Sequence, residues 1–280
     1  MKKIVGFLIG LIVVAVVYLS YSTAPLFVTK SMVRSIDKLV ITGHRGAAGL
    51  APENTIPSVK KALEIGVERI EIDVQQTKDS VVIVLHDTTV DRTTDGTGTV
   101  RKMLYKDIEA LDAGSWYGQE FSGVKVPTLE QVIKAVKGKA ELVIEIKQGN
   151  HFYPGIEARV VALIHENKMV ESCIVHSFYD EVLFKIHEKD KTIRLHKLFI
   201  AHSPFFYYDG NGFQFNSLEK YAFAEEFSIM HQFASTRFIK QAHDMGKKVN
   251  VWTIKSEKKG NKYLRLGVDG LITDYPNYFK

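Results

Sequence analysis

From about residue 39 onward, short apolar runs alternate with segments whose apolar residues recur every three or four positions. The runs "LVITG" (39–43), "RIEIDV" (69–74), "ELVIEIK" (141–147), "SCIVHSF" (172–178), "IRLHKLFI" (193–200), "FSIMHQF" (227–233), "VNVWTI" (249–254) and "GLITD" (270–274) predict strands. Between most of them lie amphipathic segments such as "PSVKKALEIG", "TLEQVIKAVKG", "IEARVVALIHENK" and "TRFIKQAHDMG", several stopping at glycine, which predict helices. Repeated strand–helix units imply a parallel sheet, and eight of them a closed barrel. The fold class predicted for residues 38–280 is therefore α/β, a TIM (β/α)8 barrel.

A ninth apolar run, "VVIVLHD" (81–87), follows the second strand too closely for a parallel crossover and predicts an antiparallel hairpin on the barrel rim. A two-residue turn at Lys78-Asp79 would set Glu71 opposite His86, and one at Asp79-Ser80 would set Asp73 there. Directly opposed residues share a face, so either register predicts His86 beside both acids. Residues 88–128 are polar and glycine-rich and interrupt the barrel pattern. They are expected as an excursion on the rim where barrel active sites lie.

The first thirty residues differ in kind. "IVGFLIGLIVVAVVYLSY" (4–21) is uncharged, and as a helix it would span about 27 Å, close to bilayer thickness. "STAPLF" after it is a poor cleavage context, so the segment is expected as an uncleaved transmembrane signal anchor with its linker, residues 1–30. That makes the protein single-pass, with the barrel domain expected outside the cytoplasm. The charges Lys2 and Lys3 before the run, and Lys30, Arg34 and Lys38 after it, are nearly balanced and leave orientation open.

Composition narrows little beyond this: the chain is 45% hydrophobic and 25% charged, with a net charge of +5 spread along it. No arginine-rich or basic-aromatic patch argues for nucleic acid, and no obligate protein partner is implied. The single cysteine, Cys173, excludes an intrachain disulfide and any multi-cysteine metal site.

Candidate chemistry gathers at strand ends. Glu71 and Asp73 point to one face of their strand, and Glu145 lies near the end of the next barrel strand. Three carboxylates converging on a barrel mouth repel one another unless a cation neutralises them, and an all-oxygen set suits Ca2+ or Mg2+ rather than zinc. His44, in "GHRG", and His86, at the hairpin end, suit an acid–base pair, while Arg45 and Lys147 offer charge for a phosphoryl group. Gly43, Gly46 and Gly49 allow tight turns there, and Glu53 and Asn54 of "PENT" are expected to turn and cap a helix.

In order, "HRG" (44–46), "PENT" (52–55), "EIDV" (71–74), "HD" (86–87), "RTT" (92–94), "EIK" (145–147), "WT" (252–253) and "TDYP" (273–276) resemble the pattern of the glycerophosphodiester phosphodiesterase family over about residues 40–280. That family is similar to the phosphatidylinositol-specific phospholipases in using an irregular TIM barrel. The resemblance implies that Glu71, Asp73 and Glu145 hold one divalent cation, Ca2+ or Mg2+, and that His44 and His86 are the acid–base pair. It further implies that Arg45 and Lys147 bind phosphate and that Trp252 lines the pocket. The activity so implied is metal-dependent cleavage of glycerophosphodiesters to glycerol 3-phosphate and an alcohol. The alternatives are a lysophospholipase D acting on a lysophospholipid at the membrane, and a non-catalytic phosphodiester-binding domain. Two departures stand out: Ser80 replaces the glycine usual in the hairpin turn, and "HSPFFYYDGNGFQF" (202–215) is unusually aromatic, readable as a self-packed loop or as an apolar lip for acyl chains.

Overall fold

The computed structural model describes residues 39–149, 151–215 and 217–280. In chain order its strands are β1 (Val40–Gly43), β2 (Arg69–Gln76), β3 (Val82–Val84), β4 (Glu141–Ile146), β5 (Cys173–Ser177), β6 (Arg194–Phe199), β7 (Ala201–His202), β8 (Tyr207–Asp209), β9 (Gly212–Gln214), β10 (Glu226–Met230), β11 (Lys248–Ile254) and β12 (Gly270–Thr273). Eight of these, all parallel, close a barrel in the order β1, β2, β4, β5, β6, β10, β11, β12 and back to β1. The helices are α1 (Ile56–Ile65), α2 (Tyr105–Glu109), α3 (Leu129–Val136), α4 (Ile156–Glu166), α5 (Asp180–Lys189), α6 (Thr236–Asp244) and α7 (Glu257–Arg265). The expected TIM barrel is present. The expected anchor, residues 4–21, lies outside the described residues, among which no helix is long and apolar enough to cross a membrane.

Local chemistry sets the helix ends. Thr55 caps α1 by accepting from the Ser58 amide, Pro57 sits in its first turn, and Gly66 ends it at φ 83°. Thr128 and Gln131 form a reciprocal capping box on α3. The crossover from β6 to β10 has no α-helix. Its aromatic, glycine-containing segment lacks helical spacing and forms the small antiparallel sheet β7-β8-β9, followed by a 3-10 turn at Leu218–Tyr221. Lys197 of β6, fully buried, holds that sheet to the barrel by ion pairs to Asp209 (2.9 Å) and Asp180 of α5 (3.0 Å).

Strand parity separates two faces of β2. Ile70, Ile72 and Val74 join Val59 and Ala62 of α1 and Val132 and Val136 of α3 in the main core. Arg69, Glu71, Asp73 and Gln75 alternate with them, face the barrel interior and are all buried. Such interiors are usually filled by branched aliphatic residues; this one is charged, and its lower layer is paired. Arg69 grips Glu226 of β10 through both terminal nitrogens (2.7 and 3.0 Å) and Glu141 of β4 through Nε (2.6 Å), while Asn250 of β11 donates to Glu226 at 2.7 Å. Removing one partner of a buried pair costs about 3–5 kcal/mol, because the other charge is left stranded.

The hairpin forms, but in neither expected register. β3 pairs antiparallel with β2 as Gln75–Ile83 and Gln76–Val82, and the Thr77 amide donates to the Val81 carbonyl around the three residues 78–80. Continued to His86, this ladder would place it opposite Ile72 on the outer face. It does not continue. After the Leu85 amide bonds to the Asp73 carbonyl (3.0 Å), the chain bends at 86–88, and the Gln75 side-chain amide holds the His86 carbonyl at 2.7 Å. The bend, rather than strand pairing, turns His86 toward the acids. Residues 88–128 are less loop-like than their composition predicts: Val90, Val100, Ile108, Ala113 and Val126 pack with Ile83 and Leu85 into a second small core beneath the rim. At the opposite end, Glu68 accepts the Ile41 amide on one oxygen (2.9 Å) and pairs with Lys280 through the other.

Candidate active site

The C-terminal ends of β1, β2, β4, β5, β11 and β12 surround one polar cluster. His44 follows β1 and Asp274 follows β12; Glu71 and Asp73 come from β2 and Glu145 from β4, which Lys147 follows, while His176 comes from β5 and Trp252 from β11. The loop after β1 folds back over Glu71. The Arg45 amide donates to its Oε2 (2.8 Å) and the Gly46 amide to its carbonyl (3.0 Å). Gly46 has φ 87°, and a Cβ there would lie 1.9 Å from Ser58 Oγ, so the close approach requires glycine.

Each histidine is oriented by a carboxylate. His44 Nδ1 lies 2.6 Å from Asp274 Oδ1, and His86 Nδ1 lies 2.6 Å from Asp87 Oδ1. A carboxylate only accepts, so the partners assign the proton to Nδ1 in both rings and leave Nε2 for chemistry. His86 Nε2 is 3.0 Å from the Lys147 ammonium, which donates to it. Lys147 also lies 3.0 Å from Glu145 and 3.5 Å from Asp73. Although burial works against its charge, Glu145 and Asp73 raise its pKa above the ordinary lysine range.

The three acids have different surroundings. Burial opposes the Asp73 charge, but Lys147, Arg45, His86 and the Asn54 amide (2.8 Å) hold its carboxyl far below the usual range. Glu145 is pushed up, first by burial and then by Asp73 and Glu71, against the pull of Lys147 and His176. Among the described residues, Glu71, Glu145 and His176 each bring a ligand atom within 4.8 Å of the others. Asp73, expected in that set, is not in this tightest group; its oxygens face Asn54, Arg45 (3.4 Å) and Lys147. A buried pair of glutamates with an imidazole, their ligand atoms within 4.8 Å of one another, is a donor set that fits a metal ion.

Arg45 and Lys147, expected as phosphate-binding groups, flank the cluster, Arg45 3.4 Å from Asp73 and Lys147 3.0 Å from Glu145. Trp252 lies on the same rim, edge to face with Phe178 at 5.4 Å, and Phe178 lies 6.0 Å from the Lys147 ammonium. Glu53 and Asn54 do more than turn the chain. Thr55 is the actual helix cap, whereas Glu53 joins Arg45 (2.7 Å) to Arg92 (2.7 Å), which reaches Asp87 (2.6 Å) and so His86. The Asn54 amide fixes both the side chain and the amide of Asp73. Asp87, Arg92 and Asp274 lie within sequence patterns quoted above, but nothing local tells that they orient the histidines. His176 carried one usable signal: its parity in "CIVHS" opposite Cys173 and Val175, which face the core.

With this geometry in hand, comparison with known proteins is decisive. Residues 44–278 match the model of the glycerophosphoryl diester phosphodiesterase family. The chain belongs to that family. A putative glycerophosphodiester phosphodiesterase of Bacillus subtilis is 36% identical over 241 residues, covering 86% of this chain and 96% of the relative. A glycerophosphodiester phosphodiesterase of Caldanaerobacter subterraneus is 35% identical over 246 residues, covering 85% and 95%. Among solved structures, a phosphodiesterase of Oleispira antarctica in complex with the product sn-glycerol-3-phosphate superposes with a TM-score of 0.76 at 25% identity, covering 92% of this chain and 96% of that one. The glycerophosphoryl diester phosphodiesterase match thus takes in every residue named in this site, from His44 to Asp274.

Proposed function

We propose that the protein hydrolyses glycerophosphodiesters to glycerol 3-phosphate and an alcohol, with His44 and His86 as its proton-transfer groups. One observation carries the assignment of roles: two imidazoles on one barrel rim are each fixed at Nδ1 by a carboxylate, and His86 turns its Nε2 to Lys147, which lies beside Asp73 and Glu145. Arg45 and Lys147 hold the non-bridging phosphoryl oxygens, their charges opposing the negative charge that gathers in the transition state. His86, already accepting at Nε2, takes the proton of the nucleophile, either the glycerol 2-hydroxyl or water, once Lys147 turns to the phosphate. His44 enters as the imidazolium, its Nδ1 proton held by Asp274, and gives its Nε2 proton to the leaving oxygen. Trp252 and Phe178 form an apolar wall against the glycerol or the leaving alcohol.

Glu71 and Glu145, with Asp73 and His176 beside them, would hold a divalent cation, for which the acidic donors suit Ca2+ or Mg2+. When bound, it supplies Lewis-acid charge to the phosphoryl oxygen. Turnover of glycerophosphocholine is expected to vanish on chelation and return with one of these ions; undiminished turnover after chelation would refute metal dependence. The curated relatives support a glycerophosphodiester over a lysophospholipid substrate, and assay of lysophosphatidylcholine beside it separates the two. Attachment to a membrane through residues 4–21, with the barrel outside the cytoplasm, is the accompanying proposal, and fractionation with protease protection in intact cells tests it.

A further inference from the structure

We propose that His176 is a nitrogen ligand of the cation, so that the site is a mixed carboxylate–imidazole centre rather than an all-oxygen one. The inference rests on the metal-dependent reading above and concerns which atoms hold the ion.

Three observations carry it. First, the β4–β5 register sets His176 directly beside Glu145, on the interior face. Second, His176 is 2% exposed, and neither ring nitrogen has a hydrogen-bond partner among the described residues. A neutral imidazole always presents one lone pair, and leaving a buried polar atom unmet costs about 1–3 kcal/mol. Nε2 faces a carboxylate, Glu71 Oε1 at 3.6 Å, which only accepts. A cation is the partner that satisfies lone pair and carboxylates at once. Third, the ligand atoms of Glu71, Glu145 and His176 lie within 4.8 Å of one another. Bonds of about 2.0–2.5 Å to a single ion require separations no greater than about 4–5 Å.

The competing arrangement is an imidazolium that itself neutralises the acids. It would bring a ring N–H to about 2.7–3.2 Å from a carboxylate, whereas His176 Nε2 stands 3.6 Å from Glu71 Oε1. The position beside Glu145 is also already served by the Lys147 ammonium at 3.0 Å. A nitrogen donor changes ion preference, because imidazole suits Fe2+, Ni2+ and Zn2+ and adds little for Ca2+. His176 is therefore expected to strengthen Zn2+ binding selectively, and Mn2+ serves as the paramagnetic probe of the same site.

The test uses Mn2+ as the probe with the full-length protein, read by calorimetry and by pulsed electron paramagnetic resonance. Bound Mn2+ should show a directly coordinated 14N coupling that changes on 15N-histidine labelling. The coupling should persist in a His44→Ala/His86→Ala double variant and disappear in His176→Asn and His176→Gln. Either His176 variant should weaken Zn2+, measured by calorimetry, about tenfold or more while moving Ca2+ affinity by less than about threefold. Mn2+ bound without nitrogen coupling, or with coupling and affinity unchanged in a folded His176 variant, overturns the proposal while leaving metal dependence standing. Failure of the wild-type protein to bind Mn2+, Mg2+ or Ca2+, with Glu71→Gln indistinguishable from it, overturns both readings. Should neither His176 variant fold, absence of nitrogen coupling in the double variant is the overturning result and its presence the supporting one.

Discussion

At the scale of single residues, the two histidines carry the most direct test of the chemistry. Both are part-exposed and neither fills the core, so His44→Ala and His86→Ala should each lower kcat about 10²–10⁴-fold while leaving thermal stability nearly unchanged. A variant with near-native turnover of glycerophosphocholine would remove that histidine from the reaction. These residues were legible in the sequence because each sits at a strand end inside a quoted motif. His176 was legible only in part: parity sets it off the core face of its strand, but its place beside Glu145 follows only from the register of two neighbouring strands. The roles of Glu53 and Asn54 were hidden for a related reason: their partners Arg92 and Asp73 are distant in sequence, and turn propensity alone spoke louder than charge.

At the scale of elements, the hairpin shows how a sound expectation can rest on the wrong register. Alternation in "RIEIDV" and "VVIVLHD" predicts two strands and their antiparallel sense. It does not predict the length of the turn, because a three-residue loop fits the same polar residues. That loop ends on Ser80 at φ 69°, a left-handed position where a side chain is strained and glycine is not. Ser80→Gly is expected to stabilise the protein by about 1 kcal/mol without altering kcat or KM, because Ser80 lies at the far end of β3 from His86. Unfolding by urea measures the gain, and a loss of stability would contradict the strain. The replaced helix between β6 and β10 was foreshadowed only negatively, by the lack of helical spacing across 202–215. Its sheet leaves Phe205 and Phe215 more than 70% exposed on the rim.

At the scale of the molecule, the charged barrel interior makes stability depend on pH. Burial pushes the His196 pKa down to about 3, so the folded ring stays neutral where an unfolded one, with its ordinary 6.5, binds a proton. Burial works against the Glu226 charge, but His196, Arg69 and Asn250 bring its carboxyl down to about 2. Both folded values are depressed, so both contributions are present above the unfolded values and are lost as pH falls toward the folded ones. Stability should begin to fall below about pH 6.5, fall faster below about 4.5, and be about 3 kcal/mol lower at pH 4 from His196 alone. Urea titrations at pH 7, 5.5 and 4 follow this directly, and a flat profile would show that the interior titrates like the surface. Glu68 leads to a different kind of consequence. By holding the Ile41 amide and Lys280 on its two oxygens, it brings the first barrel strand and the last residue to one point at the bottom of the barrel. A short linker there could splice the two ends of the barrel sequence, and the chain could be reopened at the exposed turn around Gly138 between α3 and β4, on the side away from the rim. The rearranged gene should still yield a phosphodiesterase with native kcat, since it alters the order of synthesis and leaves the catalytic rim untouched; loss of turnover in a folded permutant would show that the two faces of the barrel are not independent.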